Sequence, residues 1–340
     1  MYEIDFLKAG DKKDADALCL HFDRPDGGGR AIVVIDAGWQ DDGDSVVEFV
    51  KQRYGSSSVD LAIVSHPDGD HIGGMGKVIR ELDVAELLIH RLDQRGGSSL
   101  EASSAIADLV QVAGERGTAV GEPFQGDQYL GGALAVLGPS PDYYAELVSE
   151  QILRAGQKAP ALLAALSKSV RAFADRALDA LPVEEVPFGE GPGPGPRNNS
   201  STIILFSVEN FRTLLTGDAG VPAIEAALDF AASSGLDALA PDLIQIPHHG
   251  SRRNASSALL NRVLGAIGGV SLGSAFVSVS GKEDPKHPAG KVVNAYKRRG
   301  YPWNWTAGGS ICRRSSDAPP RDDYFPLPEM PPLEELPDEN

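Results

Sequence analysis

Leu61-Ala-Ile-Val64 is a short, continuous apolar run that gives way, after Ser65, to His66-Pro67-Asp68-Gly69-Asp70-His71. The run has the length and character of a buried strand. The loop behind it carries four side chains able to bind a metal: His66, Asp68, Asp70 and His71. Two later runs end the same way. Arg212-Thr-Leu-Leu-Thr216 leads into Gly217-Asp218, and Leu243-Ile-Gln-Ile246 leads into Pro247-His248-His249-Gly250-Ser251. His287 follows a fourth run, Ser274 to Ser280. Ligand-bearing loops after buried strands limit the fold to one in which those strand ends converge, as they do in α/β architectures.

The remaining pattern agrees with that class. Ala31-Ile-Val-Val-Ile35 reads as a strand ending in Asp36-Ala37-Gly38, Ser45 to Tyr54 as a helix, Ile72 to Leu82 as a helix behind Gly73-Gly74, and Glu86 to His90 as a strand. Leu100 to Glu115 reads as a helix and Leu134 to Leu137 as a strand. Thr202 to Ser207 and Arg212 to Thr216 form a hairpin about Glu209-Asn210. Helices follow at Val221 to Ser233, Ser256 to Leu264 and Ala289 to Arg299, with a last strand at Gly308 to Arg313. The expected fold is α/β, with helices on the outer faces of two sheets. A helical insertion is expected over 143–188, then a Gly/Pro linker over 189–197. The main domain spans 1–318, and an acidic, Pro-rich tail over 319–340 reads as disordered or loosely docked. No internal repeat stands out.

Composition narrows the function. The formal net charge is −17, with 48 acidic against 31 basic residues, which argues against a broad, non-specific nucleic-acid binder. It leaves a nuclease open, because bound divalent ions bring their own positive charge. No run is long enough to span a bilayer, and Met1 to Lys8 has no basic-then-apolar signal pattern. Cys19 and Cys312 stand far apart and read as buried thiols. Together these features predict a cytoplasmic protein without a membrane partner.

Five of the seven histidines fall in the three loops at 66–71, 248–251 and 287. A polar surface turn would account for Asp-Gly-Asp but not for two histidines in the same loop. Adjacent histidines point different ways, so one of His248 and His249 is expected to bind metal and the other to donate to a substrate oxygen. His90, at a strand end, reads as structural. Arg252 and Arg253 add positive charge beside the histidine pair.

HPDGDH, then TGD, then PHHGS resembles the metallo-β-lactamase superfamily, whose signature loop is HxHxDH. With Asp at the third position, NNSS ahead of the TGD hairpin and HHGS after it, the set is similar to the hydrolase domain of the ComEC-type competence proteins and their free-standing relatives. The resemblance covers residues 1–138 and 197–313, and it implies a four-layer αββα sandwich. It implies two divalent ions, Zn²⁺ or Mn²⁺: His66 and Asp68 on the first, Asp70, His71 and His248 on the second, and Asp218 between them. Asp36 would orient a ligand from behind. The superfamily's further histidine ahead of the TGD hairpin is replaced here by Arg197-Asn198-Asn199-Ser200, which leaves the first site with fewer imidazoles.

The expected chemistry is metal-assisted hydrolysis of an anionic phosphodiester, DNA or a nucleotide. Asp70 would hydrogen-bond the attacking water. His249, His287 and Ser251 would contact phosphate oxygens, with Asn198, Asn199 and Arg252 along the rim. Hydrolysis of a small ester, lactone or thioester is the enzymatic alternative, and a non-catalytic metal-binding module the other. The insertion also offers a surface for a homo-oligomer.

Overall fold

The computed structural model describes residues 1–94, 100–156, 193–268, 270, 272–281, 287–322, 327 and 330–333. The chain runs β1 (Tyr2–Phe6), β2 (Ala17–Asp23), β3 (Arg30–Ala37), α1 (Asp42–Arg53), β4 (Ser58–Ile63), α2 (Gly69–Ile72), α3 (Met75–Glu81), β5 (Asp83–Leu88), α4 (Leu100–Arg116) and β6 (Ala119–Gly121). It continues through β7 (Gln128–Tyr129), β8 (Leu134–Gly138), α5 (Pro141–Gly156), α6 (Pro196–Asn199), β9 (Ile203–Val208), β10 (Phe211–Leu215) and α7 (Val221–Ser233). It finishes with β11 (Leu243–Gln245), α8 (Ser257–Leu264), β12 (Ser274–Val277), α9 (Gly290–Arg298), β13 (Trp303–Trp305) and β14 (Ile311–Arg314).

Side-chain alternation along the strands sets the layers. In β3, Ala31, Val33 and Ile35 face the core between the sheets, while Ile32 and Val34 face the helices. In β9, Ile204, Phe206 and Val208 face inward, and Ile203 and Leu205 face out. Helices α1, α3 and α4 cover the outer face of one sheet with Val46, Val50, Val78, Ile79 and Ile106. Helices α7, α8 and α9 cover the other with Ile224, Leu228, Leu260 and Val293. The result is the expected four-layer αββα sandwich.

The two seven-stranded sheets run β14-β1-β2-β3-β4-β5-β6 and β13-β12-β11-β10-β9-β8-β7. Each is antiparallel up to β3 or β10 and parallel beyond it, so β3–β4 in one sheet corresponds to β10–β11 in the other. The topology therefore repeats where the sequence shows no repeat. Every loop singled out for its ligands follows a parallel strand or the strand next to one: β4, β10, β11 and β12.

Several elements differ from the sequence expectation. Strands β1, β2, β6, β7 and β13 are additional; β6 and β7 are too short to show an alternating pattern. The helix expected over Ile72 to Leu82 is two pieces, α2 and α3, joined at Gly73-Gly74. Crowding selects glycine here, since a Cβ on Gly74 would lie 2.2 Å from the Ala37 carbonyl oxygen. Of the helical insertion, α5 is described, and 157–188 lies outside the described residues. Within the linker, 189–192 lies outside them too, and Pro196 opens α6, a first-turn position that tolerates the missing N–H. The tail is pinned near its start. Arg321, 7% exposed, pairs with Glu3 Oε1 at 2.9 Å and Asp5 Oδ1 at 2.6 Å. Further along, Asn294 donates to the Leu333 carbonyl at 2.8 Å; 323–326, 328–329 and 334–340 lie outside the described residues.

Phe206 is fully buried between the sheets, with its ring 4.9 Å from that of Phe22 in an edge-to-face contact. Phe206→Ala is expected to cost about 3–5 kcal/mol, the usual range for emptying a buried phenylalanine site. Denaturant unfolding of the two proteins measures it, and a loss below about 1 kcal/mol contradicts this packing.

Candidate metal centre

Asp36, near the end of β3, ties the front of the site together. Its Oδ1 accepts from the Ser65 backbone N–H at 2.7 Å, and its Oδ2 accepts from the Ser65 hydroxyl at 2.6 Å and from His71 Nδ1 at 2.8 Å. A carboxylate only accepts, so His71 carries its proton on Nδ1 and its Nε2 lone pair faces the site. Asp36 was expected to orient His66 or a neighbour by hydrogen bond, and the imidazole it holds is that of His71. His249 is held the same way from the opposite sheet, its Nδ1 donating to the Ser278 carbonyl at 2.9 Å. Two imidazoles are thus fixed with Nε2 facing the cluster.

Asp218, 2% exposed, lies between two groups of side chains. Its Oδ1 is 3.4 Å from His71 Nε2. Among the described residues, Asp16, His71, Asp218 and His249 form a buried group whose ligand atoms all lie within 4.8 Å of one another. Asp70 borders this group, with Oδ2 3.4 Å from His249 Nε2 and 4.0 Å from His71 Nε2. Toward its Oδ2, Asp218 meets His66 Nε2 at 3.7 Å and His248 Nε2 at 3.6 Å. Asp68 Oδ2 is 3.5 Å from His66 Nε2, while Asp68 Oδ1 accepts from Arg197 at 2.5 Å.

These residues fit a divalent cation. Both carboxylate oxygens of Asp16, Asp218 Oδ1, His66 Nε2 and His71 Nε2 are buried without a hydrogen-bond partner. Leaving such atoms unmet costs several kcal/mol in total, and a cation removes that cost. Two ligands on metal bonds of about 2.1 Å in a tetrahedral shell stand about 3.4 Å apart, which is the His71–Asp218 spacing.

The protonation balance points the same way. Burial raises the Asp16 carboxyl. Burial opposes charge on His71, yet Asp218 and Asp36 outweigh it and hold its proton well above the usual histidine range. For His249 burial is again outweighed, here by Asp70 with Asp16 and Asp218, and its pKa rises to about 9. His248 goes the other way: burial exceeds the pull of Asp218 and lowers it to about 4. Without a metal, protons occupy the imidazoles nearest the carboxylates.

The structure brings His66, Asp68, Asp70, His71, Asp218, His248 and His249 into one cluster, with the two adjacent histidines exchanged. His248 was expected beside Asp70 and His71; His249 stands there instead, and His248 turns toward His66 and Asp218 Oδ2. The backbone causes this. His248 and His249 both adopt left-handed φ, 48° and 53°, so their side chains diverge, and the bond to Ser278 fixes which one enters. His287 borders the cluster with its ring 5.9 Å from that of His248, and its Nδ1 donates to Asp14 at 3.1 Å.

Asn198 Nδ2 donates to Asp218 Oδ2 at 3.1 Å, so it joins the centre rather than lining a rim. Asn199 is engaged elsewhere, accepting from the Gly220 N–H at 3.0 Å and donating to the Pro194 carbonyl at 3.0 Å. Ser251 Oγ accepts from the Arg253 N–H at 3.4 Å and so caps the turn in which Arg252 and Arg253 lie. His90 is buried against Tyr144 and Phe124, away from the cluster. Asp14, Asp16 and Arg197 are the residues that sequence reasoning missed. The signal for the first two was Asp14-Ala-Asp16 directly ahead of the alternating run that becomes β2.

A family model described as the metallo-beta-lactamase superfamily matches residues 26–265. The chain belongs to this superfamily. Superfamily members commonly bind divalent metals, usually zinc. Among curated proteins, the chain is 32% identical over 106 residues to the uncharacterized protein YcaI of Escherichia coli (strain K12), a match spanning 31% of this chain and 13% of that protein. The matched part is thus a small fraction of that relative. Among solved structures, the chain is similar to a putative metallo-beta-lactamase from Thermotoga maritima (13% identity, 72% of this chain and 94% of that chain, TM-score 0.38). It is also similar to Igni18, a metallo hydrolase from the archaeon Ignicoccus hospitalis (12% identity, 92% and 100%, TM-score 0.43).

Because His249 holds a proton up to about pH 9 in the metal-free cluster, a bound cation must displace it. Affinity for Zn²⁺ or Mn²⁺ is therefore expected to rise from pH 6 toward pH 9 and level off above that, with proton release at pH 7. Calorimetric titration of chelator-treated protein in buffers of different ionisation enthalpy reads this directly. Binding independent of pH and buffer is the contrary result.

Proposed function

We propose that the protein is a metal-dependent phosphodiesterase or nuclease, a relative of the ComEC-type hydrolase domains, acting on DNA or a nucleotide. The observation that carries the reading is charge. Arg197, a third exposed, sits at the edge of a carboxylate-rich centre, and Arg252 and Arg253 follow the histidine pair on the neighbouring loop. A guanidinium there suits an anionic phosphodiester better than a neutral lactam or thioester. The HPDGDH, NNSS and HHGS motifs support the same branch.

A bound divalent ion acidifies a water and offsets charge developing on phosphorus. The chain's own residues supply the rest. Asp70, the least buried carboxylate beside the His71–His249 pair, accepts a hydrogen bond from the attacking water and aims it. Asp36 and the Ser278 carbonyl keep His71 and His249 from rotating. His287, braced by Asp14, contacts a phosphate oxygen at the border of the site. Carboxylates in the ligand set favour Mn²⁺ beside the superfamily's usual Zn²⁺. Of the two ions that the motifs imply, one has a complete ligand set around Asp218 Oδ1. The other falls to His66, Asp68 and His248, where Arg197 already engages Asp68.

The protein loaded with Mn²⁺ or Zn²⁺ is expected to cleave bis-p-nitrophenyl phosphate and DNA, and Asp70→Ala to lower the rate by at least about 100-fold. Cleavage of esters, lactones or thioesters with none of phosphodiesters would overturn the substrate class. Undiminished activity in Asp70→Ala would overturn the role of this centre.

A further inference from the structure

The two sides of Asp218 are provided for differently. On the Oδ1 side, Asp16 and Asp218 present buried oxygens with no donor, and His71 Nε2 is buried and unpartnered. Among the described contacts no lysine or arginine pairs with Asp16, Asp70 or Asp218, and the positive groups beside them are the imidazoles of His71 and His249. On the Oδ2 side, the protein brings its own donors. Asn198 Nδ2 donates to Asp218 Oδ2 at 3.1 Å, and the Arg197 guanidinium donates to Asp68 Oδ1 at 2.5 Å. The same amide nitrogen stands 3.1 Å from His248 Nδ1.

Arg197 is placed there by local structure. Pro196 starts α6, and this four-residue turn delivers Arg197 and Asn198 in succession to the side of the centre that faces the β4 loop. Three backbone N–H groups from the end of this turn are satisfied within it: Asn199 by Gly195, Ser200 by Pro196, and Ser201 by Asn198. The turn therefore fixes the backbone from which Arg197 reaches out, and the contact with Asp68 Oδ1 places its guanidinium.

We infer that Arg197 takes the place of a second cation, so that the centre holds one divalent ion per chain, among Asp16, Asp70, His71, Asp218 and His249. Arg197 holds Asp68 Oδ1, and its fixed charge opposes a second cation at Oδ2 of the same carboxylate, the oxygen 3.5 Å from His66 Nε2. A guanidinium is always charged and cannot be removed by a chelator, so its single positive charge at the site is permanent. His66 Nε2, buried without a hydrogen-bond partner, then stands between two carboxylates, 3.5 Å from Asp68 Oδ2 and 3.7 Å from Asp218 Oδ2.

This inference rests on the metal-centre reading, and metal counting separates the two. Protein equilibrated with excess ZnCl₂ or MnCl₂ and freed of unbound ion is analysed by elemental mass spectrometry, alongside Arg197→Met and Arg197→Lys. Folding of each is checked by circular dichroism. The unsubstituted protein and Arg197→Lys are expected to hold about one ion per chain, and Arg197→Met about two. Two ions in the unsubstituted protein would overturn the inference and leave the centre intact. One ion in a folded Arg197→Met would also overturn it, by showing that Arg197 does not set the count. No bound ion in any of the three would overturn the metal centre itself.

Discussion

A carboxylate buried to 2% exposure with one oxygen unpartnered is unstable by itself, and Asp218 is such a group. An ionised carboxylate in a dry environment costs several kcal/mol unless an opposite charge meets it. Asp16 adds a second buried carboxylate with both oxygens unpartnered. The neighbours that could neutralise them without metal are imidazoles, whose protons burial opposes. Burial also works to raise Asp218 itself, yet His71, His248 and His66 hold it well below the usual carboxylate range. Asp16, His71, Asp218 and His249 are thereby a candidate metal-binding cluster.

The fold makes that arrangement affordable by spreading it across two sheets. Ser65 and the 66–71 loop leave β4, and Asp36 leaves β3, in one sheet; Asp218 leaves β10 and the histidine pair leaves β11 in the other. These are corresponding positions in the two repeated sheet patterns. Each sheet is stiffened by apolar packing on both faces, so the ligand-bearing loops start from fixed strand ends. Among the described residues, three of the six left-handed non-glycine positions lie at the site: Asp36, His248 and His249. Such strain persists only where the surroundings enforce it, here through the Asp36–Ser65 and His249–Ser278 hydrogen bonds.

Much of this was legible in the sequence, for a physical reason. Leu61 to Val64 and Leu243 to Ile246 are buried on both sides, so they read as apolar runs, and the loops behind them hold residue types that are rare together. The layer order followed from the same runs. Three things were hidden. Asp14 and Asp16 follow Asp11, Lys12 and Lys13 in a stretch that looks like a solvated turn, although Asp16 is buried. The exchange of His248 and His249 depends on two left-handed residues in succession, which no side-chain pattern announces. Arg197 read as the place where a histidine was missing, because sequence shows the absent ligand and not the guanidinium that reaches Asp68.

The cluster on the Oδ1 side of Asp218 fits one cation. Crystals grown with Mn²⁺ or Zn²⁺ and measured at the metal's absorption edge test it most directly, through the anomalous difference map. The account predicts a peak about 2.0–2.2 Å from His71 Nε2, His249 Nε2 and Asp218 Oδ1. A well-ordered crystal with no peak there, or with its principal peak among His66, Asp68 and His248, would contradict it.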